Sequence, residues 1–554
     1  MKKTVLAFLA IFVIKLSLGF FLNGLLVYPD ESCFFLKAKT LTETGTLSSC
    51  SDITELSIGN PYPLFSILIS PIFFLLQGEN ALHGIFIINA LLSSLIIFPL
   101  FQIIQSSIKN EKKSLFFSII ISFIPILTSY ERMVMSETLF VFLGIYAFWL
   151  YKTSLEKKKT KFKIYAYTLS LLAVLTRPFG FIVPLSLLIN DFFTSKNKKR
   201  LVPILVLALL AGIIVTNLFL PNAQIEIMDK TKSLKDPGNW LLILISLKNQ
   251  LNSLSIETLL IPSIIFFTEI FRKKEKTFDK TKVFFISIIF LNFAISAQHI
   301  YKYLLAGFNL DVSTRYLNLP IIFICTYFFI IQSKKSENKI NPLVFGTFIL
   351  SLFFLTFKEM NHALNISLSP WYENLNGFIP SEIYFLYIFL PLSFVLFLFY
   401  LFNKRKTTTI LISTIFVIQS IFVFIWQFNY AKTEAATPEI QFFKDKKSDI
   451  LILKSYNNYI NAPIRPIYFD YFRIKTLTEN KTTLIHFNDI KEPSHDESDP
   501  KWREMTKEFD YIITPYKLSL DKAGETSQKD TIYINKNPGQ NKHETSSYFF
   551  LQFS

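Results

Sequence analysis

The sequence predicts a polytopic α-helical membrane protein with a C-terminal extracytoplasmic α/β domain. Three observations carry this. The 554-residue chain is 51% hydrophobic and 18% charged, with 61 Phe against 15 Gly. Its mean hydropathy is +0.38. Apolar runs of bilayer length recur along the first 430 residues, separated by short basic clusters. For such a chain the bilayer is the solvent. This excludes a soluble globular enzyme, a fibrous repeat and a disordered chain.

The elements follow in order. Lys2 and Lys3 precede an apolar run from Val5 to Val27, with no small-x-small cleavage site near its end. That reads as a retained anchor with Met1 in the cytoplasm. Lys/Arg clusters at 109–113, 152–163, 191–200, 272–282, 333–341 and 403–406, with Lys2 and Lys3, hold 27 of the 57 basic residues. Short basic loops mark the cytoplasmic side. The tail from 430 to 554 is balanced, with 18 basic and 18 acidic residues. The net charge of +16 therefore marks cytoplasmic loops and calls for no nucleic-acid partner.

The same rule decides two segments. Were both Pro61–Gly78 and Ala81–Ser107 to cross, the 109–113 cluster would lie outside. Pro61–Gly78, with three prolines, therefore reads as an interfacial or re-entrant element. Ile164–Asn190 is basic at both ends and reads as two short crossings meeting at Arg177-Pro178, where proline favours a break. The count is about thirteen crossings: 4–27, 81–107, 114–130, 133–151, 163–176, 179–190, 201–221, 251–271, 283–299, 317–332, 342–357, 383–402 and 407–429. Residues 1–429 form the transmembrane domain, with a first external loop at 28–80. The odd count puts the soluble tail, 430–554, outside. Asp449–Tyr456, Thr482–Phe487, Tyr511–Tyr516 and Thr531–Asn535 read as strands, and Pro500–Phe509 as a helix.

Cys33 and Cys50 share the external loop. A bridge between them would close about 16 residues and contribute about 3 kcal/mol; spacing alone leaves it open. Cys325 sits in a span. No Cys/His spacing of metal type occurs, so no cofactor is assigned, and divalent-metal dependence is left open. His83 and His299 read as ordinary hydrogen-bonded residues. Lys15 sits inside the first span, where it snorkels or pairs with an acid of the bundle.

The polar residues at the outer ends of the spans form the candidate site. Asp30 and Glu31 follow the first span. Arg132 and Glu137 top the 114–151 hairpin. Arg177 tips the short hairpin, and Arg315 and Tyr316 enter the tenth span. Charge beside the bilayer core is costly and asks for a reason. A carboxylate can take a proton from an acceptor hydroxyl, and arginines can grip a phosphate. A lipid phosphate would lie at this depth, so the set fits glycosyl transfer from a polyprenyl-phosphate sugar. Each residue also has a plainer reading: Asp30-Glu31 as polar residues after a membrane exit, Arg132 as an interfacial snorkel, Glu137 as its structural partner, Arg177 as a cap for carbonyls freed by Pro178, and Arg315-Tyr316 as an interfacial anchor.

The order of motifs resembles the GT-C superfamily of integral-membrane glycosyltransferases, in its protein O-mannosyltransferase and lipid A aminoarabinose transferase branch. Tyr28-Pro29-Asp30-Glu31, then Ala38, Gly45 and NPYPLFSILISPIFFLLQG, are similar to that family's Asp-Glu motif and proline-rich segment. RMVMSE, from Arg132 to Glu137, is similar to its Arg followed by an acid, which in the family is more often Asp. LLAVLTRPFGFIVPL resembles its Thr-Arg-Pro hairpin, and STRYLNLP its Arg-Tyr motif. The resemblance covers residues 1 to about 330 and, in layout, the tail. It implies Asp30 as catalytic base, with Glu31, Arg132, Glu137, Arg177, Arg315 and Tyr316 binding substrate. It also implies a polyprenyl-phosphate sugar donor, a lipid, glycan or protein acceptor, and inversion at the anomeric carbon. Lys-, Ile- and Phe-rich usage points to a bacterial inner membrane. The competing classes are a transporter or lipid flippase, which would show midplane charges and internal symmetry, and a sensor using the tail as its ligand domain.

Overall fold

The computed structural model describes residues 2–20, 29–47, 62–194, 250–251, 254, 258–270, 281–305, 317–333, 346, 390–402, 405–435, 449–455, 481–487, 510–514, 521–525 and 531–534. The chain forms two compact units. The first takes Met1–Gly19, Tyr62–Phe65 and Phe86–Gln427; the second takes Phe20–Pro61, Ser66–Ile85 and Phe428–Ser554.

The first unit is helical. α1 (Lys2–Phe20) opens the chain, and residues 21–28 of the expected first crossing lie outside the described residues. Next in the chain, α2 (Pro29–Thr44) and a 3-10 turn, Ser70–Phe74, belong to the second unit, and α3 (Pro63–Ile69) starts in the first. Within Pro61–Gly78, α3 and its turn make a shorter apolar helix, Pro63–Phe74. α4 (Gly78–Leu95) and α5 (Ile97–Ile108) form one apolar run with an interruption at Ile96. Pro99 has no N–H to offer the Leu95 carbonyl four residues back. Tyr146 Oη donates to that carbonyl instead, at 3.0 Å.

The expected crossing at 114–130 is not one helix. α6 (Glu111–Ser122) stops at Phe123, and α7 (Pro125–Tyr130) restarts with proline at its first position. The residue before a proline is pushed out of the helical region, and Ile124 is extended, with ψ 145°. Asn110 caps α6 by accepting from Lys113 N at 3.0 Å. The expected crossing at 133–151 starts later and runs further, as α8 (Glu137–Lys157); the Arg132 segment precedes it as a turn.

α9 (Thr160–Val174), a 3-10 turn at Pro178–Phe181 and α10 (Ile182–Thr194) reproduce the expected break at Arg177-Pro178. α11 (Ile261–Ile270), α12 (Lys282–Leu305), α13 (Asn318–Ser333), α14 (Leu390–Leu401) and α15 (Arg405–Ala435) complete the described helices. The expected span 201–221, and 342–357 apart from Gly346, lie outside the described residues. Among the described residues, Lys2–Phe20, Asn80–Ile108, Glu137–Lys157 and Lys406–Ile425 are long and apolar enough to cross a membrane; Phe179–Thr194, Val283–Ile295, Asn318–Ser333 and Pro391–Tyr400 are shorter apolar helices.

α13 is buried from Asn318 to Gln332, as a helix apolar all round should be at the centre of a bundle. Around it, Phe148, Phe266, Phe284 and Phe285 pack on its Phe323 and Tyr327. Ring centroids are 5.1 Å apart for Phe148–Phe323 and 5.6 Å for Phe284–Phe323. Gly144 of α8 lets α13 approach, for a Cβ there would meet Leu319 Cδ2 at 2.8 Å.

In the second unit, α2 packs on the proline-rich segment. Ser66 Oγ donates to Phe34 O at 3.1 Å and Thr42 Oγ1 to Ser70 O at 2.8 Å. Phe35 meets Phe73 edge-on at 4.7 Å. Cys33 is buried and disulfide-bonded; Cys50, its expected partner, lies outside the described residues. The tail contributes β1 (Asp449–Ser455), β2 (Lys481–Phe487), β3 (Tyr511–Thr514), β4 (Asp521–Glu525) and β5 (Thr531–Ile534). Their order is β2-β1-β3-β5-β4. β1 is parallel to β2 and β3, whereas β5 runs antiparallel between β3 and β4. The expected helix at Pro500–Phe509 lies outside the described residues.

Candidate active site

Asp30 and Glu31 are the second and third residues of α2, whose first residue is Pro29. Proline is favoured at a helix start because the first N–H groups have no partner there. The helix dipole favours negative charge in this first turn. Glu31 is 1% exposed. Two turns on, Lys37 is also buried, and its burial pushes the ammonium down to about 8.

The first unit holds the arginines. The 131–136 turn between α7 and α8 is buried throughout, an unusual place for irregular backbone. Asn89 Nδ2 fixes it by donating to Met133 O at 2.8 Å. Arg132 Nη2 lies 3.4 Å from Glu131 Oε1, and its guanidinium sits 5.1 Å from the Phe424 ring of α15. Glu137 starts α8 and pairs with Arg177, Oε1 to Nη2 at 3.1 Å. Arg177 also lies over the rings of Phe140 and Phe179, at 5.7 and 5.9 Å. Leu64 N donates to Leu175 O at 3.0 Å and ties the start of α3 to the Arg177 hairpin.

Arg177 reaches Glu137, and Arg132, in the turn before α8, lies against its own neighbour Glu131. Arg132 is 2% exposed, which does not fit the plainer reading of an interfacial snorkel. Arg315 and Tyr316 lie outside the described residues. Sequence reasoning missed Glu131 and Ser93, although Lys15 inside an apolar span signalled a buried acid. Glu131 is that acid, 2.6 Å from Lys15 Nζ.

Chemically, Arg132 and Arg177 are each buried beside a carboxylate and an aromatic ring. A guanidinium fork suits a phosphate group. Among the described residues, no cluster of His, Cys, Asp and Glu could hold a metal ion.

Comparisons with known proteins agree with this architecture. Residues 61–223 match the family model of dolichyl-phosphate-mannose-protein mannosyltransferases. No curated protein sequence matches the chain. The crystal structure of ArnT from Cupriavidus metallidurans bound to undecaprenyl phosphate superposes with a TM-score of 0.53 at 10% identity, covering 96% of this chain and 97% of that one. The apo structure of the same ArnT matches with a TM-score of 0.39 at 13% identity, with the same two coverages. Residues 61–223 are thus similar to dolichyl-phosphate-mannose-protein mannosyltransferases, and the chain as a whole shares its fold with ArnT.

Proposed function

We propose that this glycosyltransferase moves a sugar from a polyprenyl-phosphate donor to an acceptor hydroxyl at the outer face of a bacterial inner membrane. The observation that carries the reading is that Arg132 and Arg177 are each buried beside a carboxylate. ArnT, whose fold the chain shares, was crystallised with undecaprenyl phosphate, which supports a lipid-phosphate donor of the same class.

In this reading Asp30 is the base. It takes the acceptor's proton as the acceptor oxygen attacks the anomeric carbon. The bond from that carbon to the phosphate oxygen breaks, and polyprenyl phosphate leaves with the electron pair. Arg132, Arg177 and Arg315 hold the phosphate and stabilise its developing charge. Glu31, Glu137 and Tyr316 complete the substrate contacts. A single displacement inverts the anomeric centre. The acceptor class is a lipid, a glycan or a protein. Residues 1–429 cross the membrane about thirteen times with the N-terminus inside, and 430–554 form an outer α/β domain.

The test is release of free polyprenyl phosphate from polyprenyl-phosphate sugars by the purified protein in nanodiscs, supplied with a crude membrane extract. The expected result is donor-dependent release. Intact donor carried between leaflets without cleavage would instead establish the flippase.

A further inference from the structure

Glu131 is buried in the turn that presents Arg132 and has no part in the mechanism above. Its Oε2 lies 2.6 Å from Lys15 Nζ and accepts from Ser93 Oγ at 3.0 Å. Lys15 Nζ also donates to Ser93 Oγ at 3.1 Å. Oε1 lies 3.4 Å from Arg132 Nη2. Lys15, Ser93 and Glu131 are 2%, 0% and 2% exposed. One carboxylate therefore links α1, α4 and the turn that carries Arg132.

A lysine–glutamate pair alone would serve to join two helices, but here the acid is also the residue next to Arg132. With Oε2 committed to Lys15 and Ser93, the carboxylate cannot swing wholly onto the guanidinium. Its contact at 3.4 Å is a restraint rather than a tight grip. The Phe424 ring, 5.1 Å from the guanidinium, adds a second restraint from α15. We propose that Glu131, held by Lys15 and Ser93, is a positioning residue that orients Arg132 toward the donor phosphate. This rests on Arg132 being a phosphate ligand.

The experiment compares donor KM, kcat and thermal midpoint for wild type, Glu131→Gln, Lys15→Met, the double variant and Ser93→Ala, with an undecaprenyl-phosphate sugar. Each charge-removing single variant lowers the midpoint by stranding a buried charge, and the double recovers most of it. Donor KM rises about tenfold in Glu131→Gln, with kcat changed less, and stays raised in the double because Arg132 has lost its restraint. Ser93→Ala removes no charge and keeps the test open where others misfold; its KM rises about threefold. Recovery of KM along with stability in the double would overturn the proposal and leave a helix staple, as would wild-type KM in Glu131→Gln or Ser93→Ala. A wild type that turns over no donor would overturn the functional reading itself, and is seen before any variant.

Discussion

Gly180→Ala adds one methyl group behind Arg177 and should disable the enzyme. Gly180 sits in the 3-10 turn that follows Arg177-Pro178 and packs on the end of α9. A Cβ there would lie 1.9 Å from the Ala173 carbonyl oxygen, 2.5 Å from its carbon and 2.6 Å from Val174 Cα. All three are backbone atoms, so no side chain can swing aside. Real contacts begin near 3.0 Å, so the turn must move by about 1 Å. Arg177 is three residues away and Gly180 N bonds its carbonyl at 2.9 Å, so the shift reaches the Arg177–Glu137 pair, 3.1 Å apart. Overpacking of this kind costs about 3 kcal/mol, and a misplacement of about 1 Å costs about 10²-fold in rate. The assay is polyprenyl phosphate release alongside the thermal midpoint. Gly19→Ala is the control, since its Cβ would meet Phe86 Cβ at an ordinary 3.7 Å, and it should behave as wild type. Wild-type turnover in Gly180→Ala would refute the claim that the hairpin geometry positions Arg177.

Three further predictions concern other parts of the fold. Asp191 of α10 accepts from Tyr151 Oη at 2.9 Å and Tyr167 Oη at 2.7 Å, and pairs with Lys163 at 2.7 Å. Asp191→Asn should cost about 2 kcal/mol, a figure kept low because Lys163 is partly exposed; an unchanged thermal midpoint would refute it. Lys37 binds its proton more weakly folded, at about 8, than unfolded, at 10.5. The unfolded chain therefore holds more protons between those values, and stability should rise with pH from about 8 to 10.5. Lys37→Met should flatten that rise in a pH series of thermal midpoints, and an unaltered slope would count against it. Cys33→Ser should lose about 3 kcal/mol from opening the disulfide, read as a lower midpoint that added reductant no longer shifts.

What was legible in the sequence followed from composition and punctuation. Basic clusters on both sides of Ile164–Asn190 forced a break, and Arg177, placed before Pro178, is extended, with φ −169° and ψ 160°. Alternating β-branched runs marked β1, β2, β3 and β5. β4, with the sequence DKAGE, has no β-branched or aromatic residue, and only its pairing with β5 makes it a strand. α2 was equally hidden: its face is set by packing on the Ser66–Phe74 segment, not by a strong apolar period. The site was legible as a set of positions but not as pairs. Nothing in the chain order says that Arg177 would reach Glu137, or that Glu131 would serve Lys15, because each pairing joins a helix to a turn far away in sequence.

The central claim is that an acid opening α2 takes the acceptor's proton while the phosphate leaves. The most direct measurement compares polyprenyl phosphate release by wild type and Asp30→Asn, with both proteins matched for thermal midpoint. Asparagine keeps the shape and removes the base, and general-base catalysis contributes about 10²–10⁴-fold. The expected result is a loss of that size in kcat with donor binding retained. Full turnover in well-folded Asp30→Asn would contradict the account.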